Sequence, residues 1–122
     1  MTTKTHKNTR RFGPLSPASL HILLALARED LHGYGIMQEV ARQSEGSYKI
    51  GPGTLYDNLK KMINQGLVEE ASARSSASDP RRRYYRLKAQ GRSVLAQEVK
   101  RLESVLRDAR AHLRDLKPRR VS

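Results

Sequence analysis

Apolar positions are almost absent from the start of the chain and then fall into segments of distinct period. Residues 1–14 (MTTKTHKNTRRFGP) are polar and basic, with Lys4, Lys7, Arg10 and Arg11 and no acid, which predicts a disordered basic arm. Ser16-Pro17 opens a helix, since Ser caps an amino end well and Pro suits the first helical position. Leu20, Leu24, Ala27 and Leu31 follow at helical spacing, and Asp30-Leu31-His32-Gly33 closes the segment. A second helix begins at Gly33-Tyr34-Gly35 and carries Ile36, Met37, Val40 and Ala41. Ser44-Glu45-Gly46-Ser47 is a break, and Tyr48-Lys49-Ile50 reads as a short extended piece. The third helix is expected from about Pro52 to Gln65, with Leu55, Leu59 and Met62 as its buried stripe and Gly66 as its carboxyl-terminal cap. Residues 67–71 and 82–87 read as two strands of a hairpin, joined by a loop of small polar residues and Pro80. From Ala89 to about Leu116 the pattern is one long helix. Leu95, Val99, Leu102, Leu106, Ala109, Leu113 and Leu116 recur there in alternating steps of four and three, an a/d heptad register.

This order predicts a mainly α chain with a small β-hairpin (α+β): a winged helix-turn-helix followed by a long C-terminal dimerisation helix. The expected divisions are an arm at 1–14, a DNA-binding domain at 15–88, the dimerisation helix at 89–116 and a basic tail at 117–122. The long helix has an apolar seam and no other core to bury it, so the seam is expected to pack on a second copy of the chain. Folding back on its own domain is the weaker alternative, because the heptads outrun so small a domain.

Charge sharpens the picture. Lys and Arg number 24 against 12 Asp and Glu, a formal net charge of +12, which argues for a polyanionic partner such as DNA, RNA or an anionic membrane. There is no cysteine, so disulfides, thiolate chemistry and the usual structural zinc sites are excluded. No run approaches the roughly 20 apolar residues of a membrane span. No apolar segment follows the basic start as in a signal peptide. The expectation is a soluble cytoplasmic chain on the nucleoid, with no membrane partner. Catalysis is not expected: His6, His21, His32 and His112 are scattered without metal-site spacing, and no nucleophile adjoins a base. His32 reads as a hydrogen-bonding residue at a helix start. Gly51 and Gly53 lack the Gly-Lys-Ser/Thr of a phosphate loop, so neither cofactor nor metal is expected.

On the third helix Thr54, Asp57, Asn58 and Lys61 share the side away from the apolar stripe. Thr and Asn suit base edges and Lys suits phosphate or guanine; Asp57 repels phosphate but can accept from cytosine. Tyr56 and Lys60 flank the stripe within reach of a DNA backbone. Basic residues outnumber acids over 46–92, with Lys49, Lys60, Lys61, Arg74, Arg86, Lys88 and Arg92 beside the run Arg81, Arg82 and Arg83, where the wing returns to strand. Neutralising phosphates releases counterions and supplies affinity without sequence information. A strand alternates its sides, so the three arginines cannot all face DNA, and at least one is expected to be solvated or paired with Glu69 or Glu70. Three other readings stand beside this one: an amphipathic helix with a merely solvated face, a membrane-surface protein, and a winged helix that binds protein instead of DNA.

These residues resemble the PadR family of transcriptional regulators. The resemblance is carried by Leu31-His32-Gly33-Tyr34-Gly35-Ile36, by Gly53-Thr54-Leu55-Tyr56 with Leu59, by Gln65-Gly66-Leu67-Val68, and by Arg82-Arg83-Tyr84-Tyr85-Arg86-Leu87 with Gly91, over roughly residues 15–113. The single C-terminal helix is similar to that of the short subgroup, which includes multidrug-responsive repressors. The resemblance implies a homodimeric repressor on an inverted-repeat duplex that leaves DNA when a small-molecule effector binds, with Tyr34, Thr54 and Tyr56 as phosphate or base contacts. Some relatives stack a flat aromatic effector on tryptophan at the dimer interface, and this chain has no Trp. It also has Lys88 where the family often has a capping Thr. An effector pocket is expected between the last helix and the first, around His21 and Leu102.

Overall fold

A computed structural model describes residues 13–71 and 83–115. Its elements are α1 (Pro17–Arg28), β1 (Leu31–His32), α2 (Gly33–Gln43), α3 (Pro52–Asn64), β2 (Val68–Ala71), β3 (Tyr84–Leu87) and α4 (Ala89–Asp115). Residues 1–12 of the expected arm, the wing loop with Arg74, Arg81 and Arg82, and Leu116 with the tail lie outside the described residues.

The helix boundaries follow local chemistry. The Ser16 hydroxyl accepts from the Ser19 amide at 3.1 Å and Pro17 follows it. His32 caps α2, its Nδ1 accepting from the Gly35 amide at 3.0 Å, and its ring meets Tyr84 edge-on. That is the helix-start role its position suggested. At the end of α3, Gly66 adopts φ +80, a left-handed conformation that glycine takes without strain. The Leu67 amide then returns to the Met62 carbonyl at 2.9 Å and closes the helix.

Two elements depart from the sequence reading. Leu31–His32, read as the close of α1, is a short edge strand, so the hairpin becomes a three-stranded antiparallel sheet in the order β1-β3-β2. Leu31 pairs with Tyr85 and His32 with Tyr84, partners far along the chain that periodicity cannot reveal. Residues 48–50 form no strand. The Ser44 hydroxyl donates to the Tyr48 carbonyl and accepts from the Tyr48 amide, both at 3.0 Å, and this pins the turn before α3.

α1 is the central helix, packed against α2, α3, α4 and β3. Ile22, Leu23, Ala25 and Leu26 from α1 meet Ile36 and Val40, the stripe Leu55, Leu59 and Met62, and Val68, Tyr85 and Leu87 of the sheet. Each such aliphatic side chain contributes about 1.5–3 kcal/mol on burial. The first turns of α4 close the core through Val94 and Leu95. Just beyond β3 the Lys88 amide donates to the Leu67 carbonyl at 2.9 Å, and the α4 backbone at Gly91 lies against that same carbonyl.

Beside that junction lies Glu98, only 4% exposed. Arg101 grips its carboxylate with two bonds of 2.7 and 3.0 Å, and the Leu15 amide donates to it at 3.3 Å. Chiefly the Arg101 hydrogen bonds hold the carboxyl below its ordinary pKa, against the opposing effect of burial. A depressed carboxylate pKa stabilises the fold above the ordinary carboxylate range, and that stability is lost as pH falls through the folded pKa. Glu98→Gln is expected to lower the urea midpoint at neutral pH, and its difference from the parent protein is expected to shrink steadily below about pH 5. A difference independent of pH would assign the effect to packing.

Candidate nucleic-acid interface

α2 and α3, joined through residues 44–51, form a helix-turn-helix, and α3 is its second helix. Leu55, Leu59 and Met62 are at most 1% exposed and seat the helix on α1 and α2. The opposite face carries Thr54, Asp57 and Lys61, all exposed, with Tyr56 and Lys60 at its margin. The helix begins at Gly51 with no side-chain cap. Its first free amides and the positive end of its dipole are therefore left for an outside acceptor. Lys49 is exposed immediately before that end.

The predicted contact residues fall into distinct environments. Tyr34, at the second position of α2, is 64% exposed. Tyr56 is 47% exposed, yet its hydroxyl lies over the Cα of Gly33, where a Cβ would collide with it. It therefore joins α3 to the start of α2 while keeping one ring face open. Asn58 is half-buried, and its amide is bonded to Ser19 and to the Thr54 carbonyl. Neither Lys49 nor Lys61 forms an ion pair with another described residue.

The sheet arginines differ. Arg86 donates to Asp30 at 3.0 and 3.2 Å and lies 3.7 Å from Glu69, so one guanidinium ties β3 to β2 and to the residue just before β1. The Asp30 hydrogen bonds raise its pKa further. Arg83 pairs with Glu70 at 3.4 Å across an exposed gap. The expected pairing of a wing arginine with Glu69 or Glu70 is thus present. Asp30 is the partner that sequence reasoning missed; it neighbours β1, which was itself not foreseen. Exposed pairs such as Arg83–Glu70 are worth at most about 1 kcal/mol, so phosphate can compete for that guanidinium.

Beyond its first turns α4 leaves the core. Leu95 is 7% exposed and belongs to the core of its own chain. Val99, Leu106 and Leu113 are 39, 49 and 68% exposed, Ala109 is exposed and Leu102 is half-buried. Val105, absent from the heptad reading, is 50% exposed and widens the stripe on one side. His21 stacks on Tyr48, with ring centroids 4.9 Å apart, and Gln43 donates to the His21 carbonyl at 2.9 Å. No group of metal-ligating side chains occurs among the described residues, and none of their helices is long and apolar enough to cross a membrane.

Comparison with known proteins agrees with this architecture. The family model described as the transcriptional regulator PadR-like family matches residues 22–97. A transcriptional regulator of Mycobacterium tuberculosis is 34% identical over 89 residues, covering 73% of this chain and 78% of the relative. Among solved structures, a PadR family transcription regulator from Clostridium difficile superposes with a TM-score of 0.69 at 22% identity, covering 80% of this chain and 99% of that one. A transcriptional regulator from Clostridium thermocellum gives 0.65 at 22% identity, over 77% of this chain and 87% of that one. At such identities the superpositions speak for the fold.

Proposed function

This chain belongs to the transcriptional regulator PadR-like family and is a DNA-binding regulator, not an enzyme; from that premise we propose that it is a homodimeric repressor that reads an inverted-repeat duplex through α3 and is released by a small-molecule effector. The observation that carries the DNA-reading part is the exposed face of α3. It offers Thr54 and Lys61 behind an uncapped helix start, with lysines that pair with no carboxylate among the described residues, while Arg86 on the outer sheet face is tied to Asp30 and Glu69. Thr54 is placed to meet base edges. Lys61, Lys49, Tyr34 and Tyr56 would meet phosphates beside the groove, and Arg81, Arg82 and Arg83 would meet the backbone from the wing. Asn58 is bonded within the fold, to Ser19 and to the Thr54 carbonyl.

The dimer reading is supported by the apolar stripe of α4, where Val99, Leu106, Ala109 and Leu113 are exposed, Leu102 is half-buried and Leu95 lies at the foot; the proposed interface also takes in Leu116. On this reading residues 15–88 are the reading head, 89–116 the dimerisation helix, and the segments 1–14 and 117–122 basic extensions. Repression and effector release rest on the family resemblance. The effector would sit between the last helix and the first, around His21 and Leu102; His21 itself stacks on Tyr48 in the turn before α3.

The test is binding to a duplex of the protein's own promoter region, titrated with salt, beside Lys61→Ala and Arg82→Ala. The parent protein is expected to prefer that duplex to random DNA and to lose affinity steeply with salt. Each variant is expected to lower the slope of log affinity against log salt by about one. Equal, weak binding to any duplex would remove the regulatory reading and leave a merely basic protein.

A further inference from the structure

Ser19 and Glu98 are the buried polar or charged side chains among the described residues. Glu98 is satisfied within its own helix and by Leu15. Ser19 instead reaches across the core. Its hydroxyl, on a residue 9% exposed, donates to Asn58 Oδ1 at 3.3 Å, and Asn58 Nδ2 donates to the Thr54 carbonyl at 2.8 Å. The orientation of the amide is fixed by chemistry: the Thr54 carbonyl can only accept, so nitrogen faces it and oxygen faces the hydroxyl. A buried hydroxyl without a partner is costly, and Asn58 Oδ1 is the side-chain acceptor that the fold offers this one. The result is a polar bridge from the central helix α1 to the first turns of α3. Burial of Leu55, Leu59 and Met62 already sets which face of α3 points inward, since turning the helix far would expose them. The directional bond narrows the remaining play about that setting.

We propose that Asn58 is a positioning residue and not a base contact: with Ser19 it narrows the rotational play of α3 about its own axis, and so the angle at which Thr54 and Lys61 face the major groove. This rests on the reading of α3 as the DNA-reading helix. The same α1 also packs on α4, whose first turns carry Val94 and Leu95 into the core.

The experiment uses the full chain, the duplex it selects from a random pool and a scrambled duplex of the same composition, with Ser19→Ala, Asn58→Ala and the double variant. Both single variants are expected to lower the ratio of selected to scrambled affinity by about fivefold, the loss of one modest hydrogen bond. The double variant is expected to lower it no further. Scrambled-duplex affinity and salt slope stay unchanged, and preference weakens evenly along the site. Without DNA, amide hydrogen exchange in the first turns of α3 is expected to quicken in both variants.

Two results overturn the proposal. In the first, Asn58→Ala abolishes preference at a single base pair while Ser19→Ala leaves the ratio intact, which makes Asn58 a base contact. Alternatively, Ser19→Ala lowers the melting temperature and both affinities in proportion, which makes the hydroxyl purely structural. If the wild-type chain selects no sequence, the regulatory reading fails on its own account. Hydrogen exchange then decides the bridge: faster exchange in Ser19→Ala upholds it, and unchanged exchange removes it.

Discussion

Gly91→Ala is expected to destabilise the protein by roughly 3 kcal/mol, a large effect for one added methyl group. A Cβ at Gly91 would collide with the backbone carbonyl oxygen of Leu67 and would lie 2.7 Å from Leu87 Cδ1. The leucine tip can turn aside. The carbonyl cannot, because it accepts the Lys88 amide at 2.9 Å and follows the turn that Gly66 closes. Relief therefore requires the first turns of α4 to move away from β2, loosening Val94 and Leu95, which are 3 and 7% exposed. Interiors at crystal-like density do not absorb such a shift locally. Urea unfolding should show a lower midpoint with an unchanged slope. A loss within about 0.5 kcal/mol would mean that the close approach of α4 to Leu67 is not a fixed feature of the fold.

Leu106→Asp is expected to convert the proposed dimer to monomer and to weaken binding to a full inverted repeat by about 100-fold or more, since linked reading heads would gain that much from effective concentration. Leu106 lies mid-way along the exposed stripe at 49% exposure, between Leu102 and Ala109. A carboxylate there would have to be desolvated at the centre of the seam without a built partner. Because α4 beyond Val99 contributes little to its own core, the monomer should still fold. Ser104→Asp, exposed on the far side of the helix, adds the same charge and is expected to leave the dimer intact. Sedimentation with binding to a single half-site separates the effects: half-site affinity should be nearly unchanged. A Leu106→Asp protein with the parent's mass in solution would place the dimer interface elsewhere, or remove it.

The two predictions draw on different kinds of legibility. The stripe of α4 is written in the sequence, because a heptad is a local repeat and needs no knowledge of what it meets. That Leu95 turns into its own core while Val99 and Leu106 stay exposed depends on where α4 leaves the domain, which no repeat records. Gly91 could be quoted as part of a family pattern, but its reason is a carbonyl twenty-four residues earlier. On α3 the apolar stripe and the polar face were legible from spacing. The engagement of Asn58 was not, since Ser19 lies 39 residues away on another helix. The same holds for Arg86. Its charge suggested a free cation, whereas its bonds to Asp30 cross 56 residues and depend on a strand too short to leave a pattern.

What the sequence by itself determined is therefore what is settled within a turn or two of chain. The caps at Ser16 and His32, the glycine stop at Gly66, the buried stripe of α3 and the heptads of α4 all follow from local hydrogen bonding and from the periods of helix and strand. So does the net positive charge that calls for a polyanion. Only the tertiary structure decided which polar groups remain available. Pairing β1 to β3 and seating α3 on α1 bring together atoms that the chain keeps far apart. Those contacts tie up Arg86 and Asn58 and leave Lys49, Thr54 and Lys61 facing outward. Hydrogen bonds and ion pairs act over a few ångströms, so partners distant in sequence become partners only once the core has closed.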